Sequence, residues 1–217
     1  MMRSPHRWLV FGLLLLAGCA SSSQLARQSD EALEKGDLRK AYEKARRALD
    51  KEPGNAAARS AFANVATQLS DDYKGRVLRL AAVDTLAAAR MALDFRSART
   101  EFARYPVTLP EDPPYRERET RILGAAARIR YHEAGRSMAA GRPKEAMRRY
   151  EECSGFVPGY GDVDRKVVEA MERAIARVAV LPFENQVGVP GLGHGLSGRI
   201  GEEALRRAGS PALRFTR

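Results

Sequence analysis

The sequence predicts a mainly α-helical protein that ends in a small α/β segment. Three observations carry that expectation. Long stretches are dominated by Ala, Leu, Glu, Lys and Arg, the residues with the highest intrinsic helix propensity. Apolar residues in those stretches recur three and four apart, which lines one face of a helix. Near the C-terminus the character changes, and Val178-Ala179-Val180-Leu181 is a short, apolar, partly β-branched run of the kind that forms a strand. A 44% apolar content is enough for a core, and a mean hydropathy of −0.41 excludes a polytopic membrane protein. Two cysteines exclude a disulfide scaffold, three histidines leave little room for a zinc site, and the prolines and glycines are too few for a disordered chain.

The N-terminus is the most informative stretch. Arg3, His6 and Arg7 form a basic start, and Trp8 to Ala17 carries no charge. Ten residues rise ~15 Å as a helix, about half the hydrocarbon core of a bilayer. Residues 1–18 therefore read as a secretory signal peptide rather than a spanning helix. The string Leu16-Ala17-Gly18-Cys19 closes it, and it resembles the bacterial lipobox in spacing and position. The resemblance implies cleavage before Cys19, acylation of its thiol and new amine, and a membrane held through lipid. Several acyl chains on one cysteine anchor stably, where one binds only reversibly. Ala20-Ser21-Ser22-Ser23 completes a 19–23 lipidated tether. Ala20 stands where many lipoproteins retained at the inner membrane have aspartate, so the expected location is the outer membrane, facing the periplasm. Cys153 is then the one unmodified thiol, expected as a buried small hydrophobe.

Residues 24–176 are expected as one helical repeat domain. Gln24 to Glu52 is helical, broken at Gly36-Asp37 and ended by Pro53-Gly54-Asn55. Leu38, Ala41, Ala45, Ala48 and Leu49 line one face, with Lys and Arg opposite. Asn55 to Leu69 and Arg76 to Ala103 follow as helices, the second with a stripe of Leu78, Ala82, Leu86, Ala89 and Leu93. Pro106 to Pro114 holds four prolines and reads as a loop. Arg116 to Ala140 and Asp162 to Ala176 resume as helices.

Within this region the chain repeats its own grammar. Gly141, Ala146, Pro158 and Gly159 have the mutual spacing of Gly36, Ala41, Pro53 and Gly54, at an offset of 105 positions. This shared string resembles the second half of a tetratricopeptide repeat, in which a small alanine is followed four residues later by an aromatic or small residue and then by a terminal proline. Ala146 and Tyr150 fit that pattern, and Ala41 and Ala45 fit it with a smaller partner. The roles are physical: glycine frees the turn, alanine lets helices approach, proline stops the second helix. The first-helix Trp and Leu-Gly signatures of the family are absent. The resemblance implies a helical hairpin array with a concave face for a protein partner.

Residues 177–217 are expected as a partial α/β domain: a strand at Val178 to Phe183, a glycine-rich loop from Glu184 to Gly195, a helix from Leu196 to Ala208, and a strand from Leu213 to Thr216. Arg177-Val-Ala-Val-Leu-Pro-Phe-Glu-Asn185, with the loop and helix after it, resembles the opening of the α/β domain of two related kinds of envelope lipoprotein. One is the curli-secretion channel family (CsgG-like), the other the activators of penicillin-binding proteins (LpoB-like). Those domains are longer, so this segment reads as reduced or truncated. Its strand edge is an expected route to self-association.

No catalytic constellation is legible. Gly193-His-Gly-Leu-Ser-Gly198 matches G-x-G-x-x-G, but nine residues separate it from Phe183, and a dinucleotide site needs its first glycine at the strand end. His132 and His194 have no acidic cluster beside them in sequence. The net charge of +10 is spread as pairs, Arg46-Arg47, Arg148-Arg149 and Arg206-Arg207, each on a helix with Glu nearby, and reads as solvated helix faces rather than a nucleic-acid surface. The expectation is a non-enzymatic, lipid-anchored envelope scaffold with no cofactor and no metal. The competing expectation is a secretion, assembly or synthase-activating lipoprotein of the two kinds named above.

Overall fold

Five of the described helices begin where a short polar side chain takes up free amides of a first turn. Ser21 accepts from Gln24 N–H, Asp37 from Lys40, Asn55 from Ala58, Asp84 from Leu86 and Ala87, and Asp112 from Tyr115. In the computed structural model, which describes residues 20–179, 191–207 and 213–216, the chain is mostly helical. The helices are α1 (Ser22–Glu34), α2 (Leu38–Lys51), α3 (Ala56–Ala81), α4 (Thr85–Phe102), α5 (Pro113–Ala139), α6 (Pro143–Phe156), α7 (Val163–Ala174) and α8 (Leu192–Arg207). Strand β1 (Ala176–Ala179) pairs in parallel with β2 (Leu213–Thr216), Ala176 opposite Leu213.

The chain divides into two compact units, residues 1–122 and 123–217, so the division falls inside the region 24–176 and within α5. In the first unit α1 packs on α2, both pack on α3, and α3 packs on α4. Its core is alanine at the close contacts, with Ala41, Ala45, Ala48, Ala58 and Ala66 fully buried. Aromatic rings fill the wider gaps: Phe62 lies 4.5 Å from Tyr105, 5.6 Å from Tyr42 and 6.2 Å from Phe102 between ring centroids. Such pairs add about 0.5–1.5 kcal/mol each beyond the area they bury. In the second unit α6 packs on α7. Tyr150 of α6 meets Tyr131 of α5 at 5.5 Å, and Tyr131 meets Tyr160 at 5.8 Å.

Several boundaries differ from the sequence expectation, each for a local reason. The break expected between Leu69 and Arg76 is absent: α3 runs unbroken for 26 residues, through Gly75. The chain turns instead at Ala82-Val83-Asp84, where the Asp84 carboxylate captures two amides and starts α4. The expected stripe is thereby cut in two. Ala82 is exposed and Leu78 is 36% exposed, while Ala88, Ala89, Ala92 and Phe95 form the buried face of α4. Pro113 and Pro114, expected in the loop, open α5, since a proline in a first turn gives up an amide that has no helical partner. Helix α7 ends at Ala174 rather than Ala176, because Ile175 is extended and leads into β1. Helix α8 starts at Leu192, not Leu196, directly after Gly191 with φ of 78°. The expected strand from Val178 to Phe183 overlaps β1 at Val178 and Ala179, and its remaining residues lie outside those described. The serines expected as a tether are in use by the fold: Ser21 caps α1, and Ser22, 3% exposed, donates to the Ala48 carbonyl at 3.0 Å.

The burial pattern on α5 and α6 sets up a direct comparison. Ala146 has no exposed surface and faces the helix contact, whereas Ala139 is exposed at the end of α5. Placing a carboxylate at the first site strands a charge among apolar groups, at a cost of several kcal/mol before relaxation. Ala146→Glu is expected to lower the thermal midpoint by ten degrees or more, on the order of 2–4 kcal/mol. Ala139→Glu is expected to shift it by no more than a degree or two, about 0.5 kcal/mol. Circular dichroism melts of the two variants check this, and equal midpoints reject the assignment of Ala146 to a close contact.

Candidate functional site

The residues singled out by the repeated string come together as two hairpin turns. Gly36 and Gly141 adopt φ of 74° and 69°, a left-handed conformation that glycine reaches without strain. The same bonds close both turns. Asp37 N–H donates to the Ala32 carbonyl at 2.9 Å and Gly36 N–H to Leu33 at 2.9 Å; Arg142 N–H donates to Ser137 at 2.9 Å and Gly141 N–H to Met138 at 3.1 Å. This 6→1 and 5→2 pair is the Schellman termination of a helix. The correspondence continues at the far end of the second helix, where Glu52 N–H meets Ala48 and Val157 N–H meets Cys153, both at 3.0 Å. Every one of these bonds maps onto its counterpart at the same offset of 105.

Burial follows the same register. Ala41 and Ala146 are both fully buried, as are Ala48 and Cys153, while Ala45 and Tyr150 are 0% and 2% exposed. Pro53 and Pro158 each stand one residue past a helix cap, Glu52 and Val157. Gly159 has φ of 70°, but Gly54 is not left-handed, so the two chains leave their second helices differently.

The two hairpins differ in what fills their faces. Position 25, a buried leucine, corresponds to Arg130, and position 26, a buried alanine, to Tyr131. In the second unit the α5–α6 contact therefore carries ion pairs beside its buried apolar residues. Arg130 bridges Glu133 at 2.5 Å and Glu152 at 2.6 Å, and Arg149 reaches Glu145 at 2.6 Å and the Ser137 hydroxyl at 2.6 Å. Arg149 is thus not a solvated helix face, as its place in the Arg148-Arg149 pair implies from sequence; it is half-buried and bonded on two sides. Tyr131 donates its hydroxyl to Asp162, which also pairs with Arg165. That hydrogen bond, more than burial, pushes the tyrosine up to about 12 and holds Asp162 below the usual carboxylate range. His132 is exposed, its ring edge-on to Tyr131 at 6.1 Å.

Beyond the hairpins, apolar side chains reach the surface in the second unit. Leu192, Leu196 and Ile200 repeat every four residues along α8 and are 39%, 43% and 45% exposed. Val168 and Met171 on α7 are exposed as well. The Gly193–Gly198 string lies inside α8 rather than in a loop at a strand end, and from Gly195 on its amides bond within the helix; Gly195 N–H donates to Gly191 at 2.9 Å. No group of three His, Cys, Asp or Glu among the described residues is placed to hold a metal, and no described helix is long and apolar enough to cross a membrane. Cys19 lies outside the described residues. Comparison with family models, curated proteins and solved structures finds no match for this chain.

Sequence reasoning did not reach the charged core of the first unit. Glu119, 3% exposed, is gripped by Arg99 through both oxygens at 2.8 and 2.9 Å and by Arg96 at 3.3 Å. Arg99 also lies over the Phe95 ring at 4.6 Å. Arg96 and Arg99 are three apart on one helix and Glu119 lies twenty residues on. The only sequence signal is the i, i+3 spacing of the arginines, which does not name the partner.

Cys153 gives a test of the hairpin interior. Burial pushes its thiol up to about 11 from an ordinary 9.0. At pH 8 that leaves the thiolate roughly a hundredfold scarcer than at an unshifted thiol, and the thiolate is the reactive form. In a Cys19→Ser background, maleimide labelling of the native chain at pH 8 is expected to run at least a hundredfold slower than in denaturant. Comparable rates in the two conditions reject a buried Cys153.

Proposed function

We propose that this protein is a lipid-anchored scaffold of the bacterial cell envelope, without catalytic activity, that holds a protein partner through its helical hairpins. The observation that carries the reading is Leu16-Ala17-Gly18-Cys19 behind a basic start and an uncharged run. A lipobox needs small residues before the cysteine so that the chain can lie extended in the peptidase groove, and a thiolate to take the diacylglycerol; all are present in order. The chain begins to fold two residues after Cys19, with Ser21 capping α1, which holds the described fold within a few residues' reach of a lipid anchored there. The recurrent hairpin supports a tetratricopeptide-like array, since the same turn and the same buried positions recur at one offset. The exposed Leu192, Leu196 and Ile200 support a contact surface, because an apolar stripe along one helix is more than scattered surface hydrophobes.

A second reading is a secretion, assembly or synthase-activating lipoprotein of the CsgG-like or LpoB-like kind. The feature that favours it is the order β1, α8, β2 with parallel pairing of the strands, the grammar of an α/β domain. A two-stranded sheet is marginal in water on its own. In this reading the apolar stripe of α8 belongs to that domain, and the strand edge is the contact with another copy.

The test is made on the anchor and on the surface. Cys19→Ser is expected to leave the protein unprocessed or in the soluble fraction, since serine offers no thiolate to acylate. Ala20→Asp is expected to move the lipidated protein from outer to inner membrane on a density gradient. A photo-crosslinker at Ile200 is expected to give a discrete heavier band with the anchored protein and not with Cys19→Ser; a band at twice the chain mass favours the second reading. Mass spectrometry of the native protein showing an unlipidated mature N-terminus overturns the proposal.

A further inference from the structure

We propose that the groove between α4 and the first turns of α5, in the first unit, is a binding site for a phosphate monoester. The groove measures about 560 Å³, and Arg96, Arg99, Thr100, Arg116, Glu119 and Thr120 line it. That volume lies within the range of ligand pockets.

The lining has a pattern in the chain. Helix α4 carries Arg96-Ser-Ala-Arg99-Thr100, and α5 carries Arg116-Glu-Arg-Glu119-Thr120. Residues three and four apart share one face of a helix. Two faces of the same grammar therefore border one groove, with Glu119 as the single acid among four charged positions.

Glu119 organises the arginines. It is 3% exposed and accepts from one terminal nitrogen of Arg99 at 2.8 and 2.9 Å and from Arg96 Nε at 3.3 Å. Arg99 also lies over the Phe95 ring at 4.6 Å. Both guanidiniums are thus held before a ligand arrives, which lowers the entropy that binding must overcome. The bonds to Glu119 still leave donors over. A guanidinium has five N–H groups, and the remaining nitrogens of Arg96 and Arg99 have no acceptor among the described residues. These side chains reach solvent: Arg96 is 43% exposed, Arg99 29% and Arg116 59%. Arg116 meets Glu111 at 3.5 Å, but that pair is mostly exposed and competes weakly.

Charge selects the ligand. Three arginines in the lining face one carboxylate, a surplus of two positive charges. The threonines do not offer protons, because Thr100 donates to the Arg96 carbonyl at 3.0 Å and Thr120 to the Arg116 carbonyl at 2.9 Å. The groove therefore suits a ligand that only accepts and that carries two charges. A phosphate monoester does both: it presents three strong acceptor oxygens and about −1.5 to −2 charges at neutral pH. Arginine bonds to it by charge-assisted pairs of N–H groups. A carboxylate or a phosphate diester brings one charge and meets half the surplus. The same monoester group occurs on soluble metabolites and on lipid headgroups.

Phenyl phosphate, diphenyl phosphate and benzoate separate monoester, diester and carboxylate. They are titrated calorimetrically at neutral pH and low salt into the full-length chain carrying Cys19→Ser, so that no acyl chain takes part. Phenyl phosphate is expected to bind saturably, and the other two about tenfold more weakly or not at all. Arg96→Gln and Arg116→Gln are each expected to weaken phenyl phosphate about tenfold. Arg116→Gln is the safer of the two for folding, since it touches only the exposed Glu111. Arg118→Gln removes the same charge from the same helix outside the lining and is expected to leave the affinity unchanged. Phosphatidylcholine vesicles doped with phosphatidic acid identify the source: capture that phenyl phosphate reverses makes it a lipid headgroup, and absence of capture beside intact phenyl phosphate binding makes it a soluble ester. Failure of phenyl phosphate to bind overturns the proposal, as does benzoate or diphenyl phosphate binding as tightly. Arg118→Gln weakening phenyl phosphate as much as Arg116→Gln overturns it too, since the attraction is then to the charge of the surface and not to the groove.

Discussion

An alanine side chain is a single methyl group, and where α1, α2 and α3 meet, that methyl sets how near the helix backbones come. More than half of the buried apolar side chains among the described residues are alanines. Close approach brings many backbone atoms into van der Waals contact, but each alanine removes little area from water, so these contacts contribute less per residue than leucine would. The balance is restored by a few large rings. Tyr42, Phe62, Phe102 and Tyr105 gather where the helices diverge, and Phe95 stacks against Tyr73 at 5.3 Å on the other side of the same unit. The arrangement is exacting in one direction only. A ring can be trimmed and leave a void, but a methyl at the contact cannot grow without forcing two helices apart.

The charged groups obey a matching rule. Glu119 is the most buried carboxylate described, and it is held by Arg96 and Arg99, the second of which also lies over the Phe95 ring. A buried carboxylate costs several kcal/mol to desolvate, and charge-assisted bonds, here from one Arg99 nitrogen to both oxygens and from Arg96 to one, offset part of it. The second unit solves the same problem with a ladder of Arg130, Glu133, Glu152, Arg149 and Glu145, half-buried between α5 and α6. The basic excess of the chain is therefore less available at the surface than its net charge implies, since several arginines spend their charge on neighbours.

Much of the helical architecture was legible in the sequence, and the reasons it was or was not are local. Gly36-Asp37 and the Gly141 turn could be read because a left-handed position and a cap leave a mark in the residue types themselves. The α3–α4 junction could not, because its signal is one aspartate, Asp84, competing with the more conspicuous Ser70-Asp71-Asp72 and Gly75, which the helix simply absorbs. Glycine inside α3 costs about 1 kcal/mol, a sum that tertiary packing overrides. The start of α8 was missed for a similar reason: the run of glycines read as a loop through Gly195, but the helix begins directly after the left-handed Gly191 and absorbs Gly193 and Gly195. The identity of the contacts was the least legible. Glu119 with Arg99, and Tyr131 with Asp162, join residues 20 and 31 positions apart, and periodicity says which face a residue occupies without saying what it will meet there.

The two matching hairpin turns have a consequence for how the chain acquires its structure. Helices α1 and α2 close on each other within thirty residues, so the ordering of each hairpin brings together only near neighbours along the chain. Loop-closure entropy is small for such contacts, and proteins built from them fold orders of magnitude faster than those that must pair distant strands. A chain released from one end can complete its first hairpin while the rest is still extended, and the offset of 105 residues leaves room for the second to form independently. The longer closures are the ring cluster, where Tyr42 meets Phe102, and the pairing of β1 with β2, which waits for α8 and for a strand thirty-seven positions away. Until β2 arrives, the edge of β1 is unpaired and open to another chain.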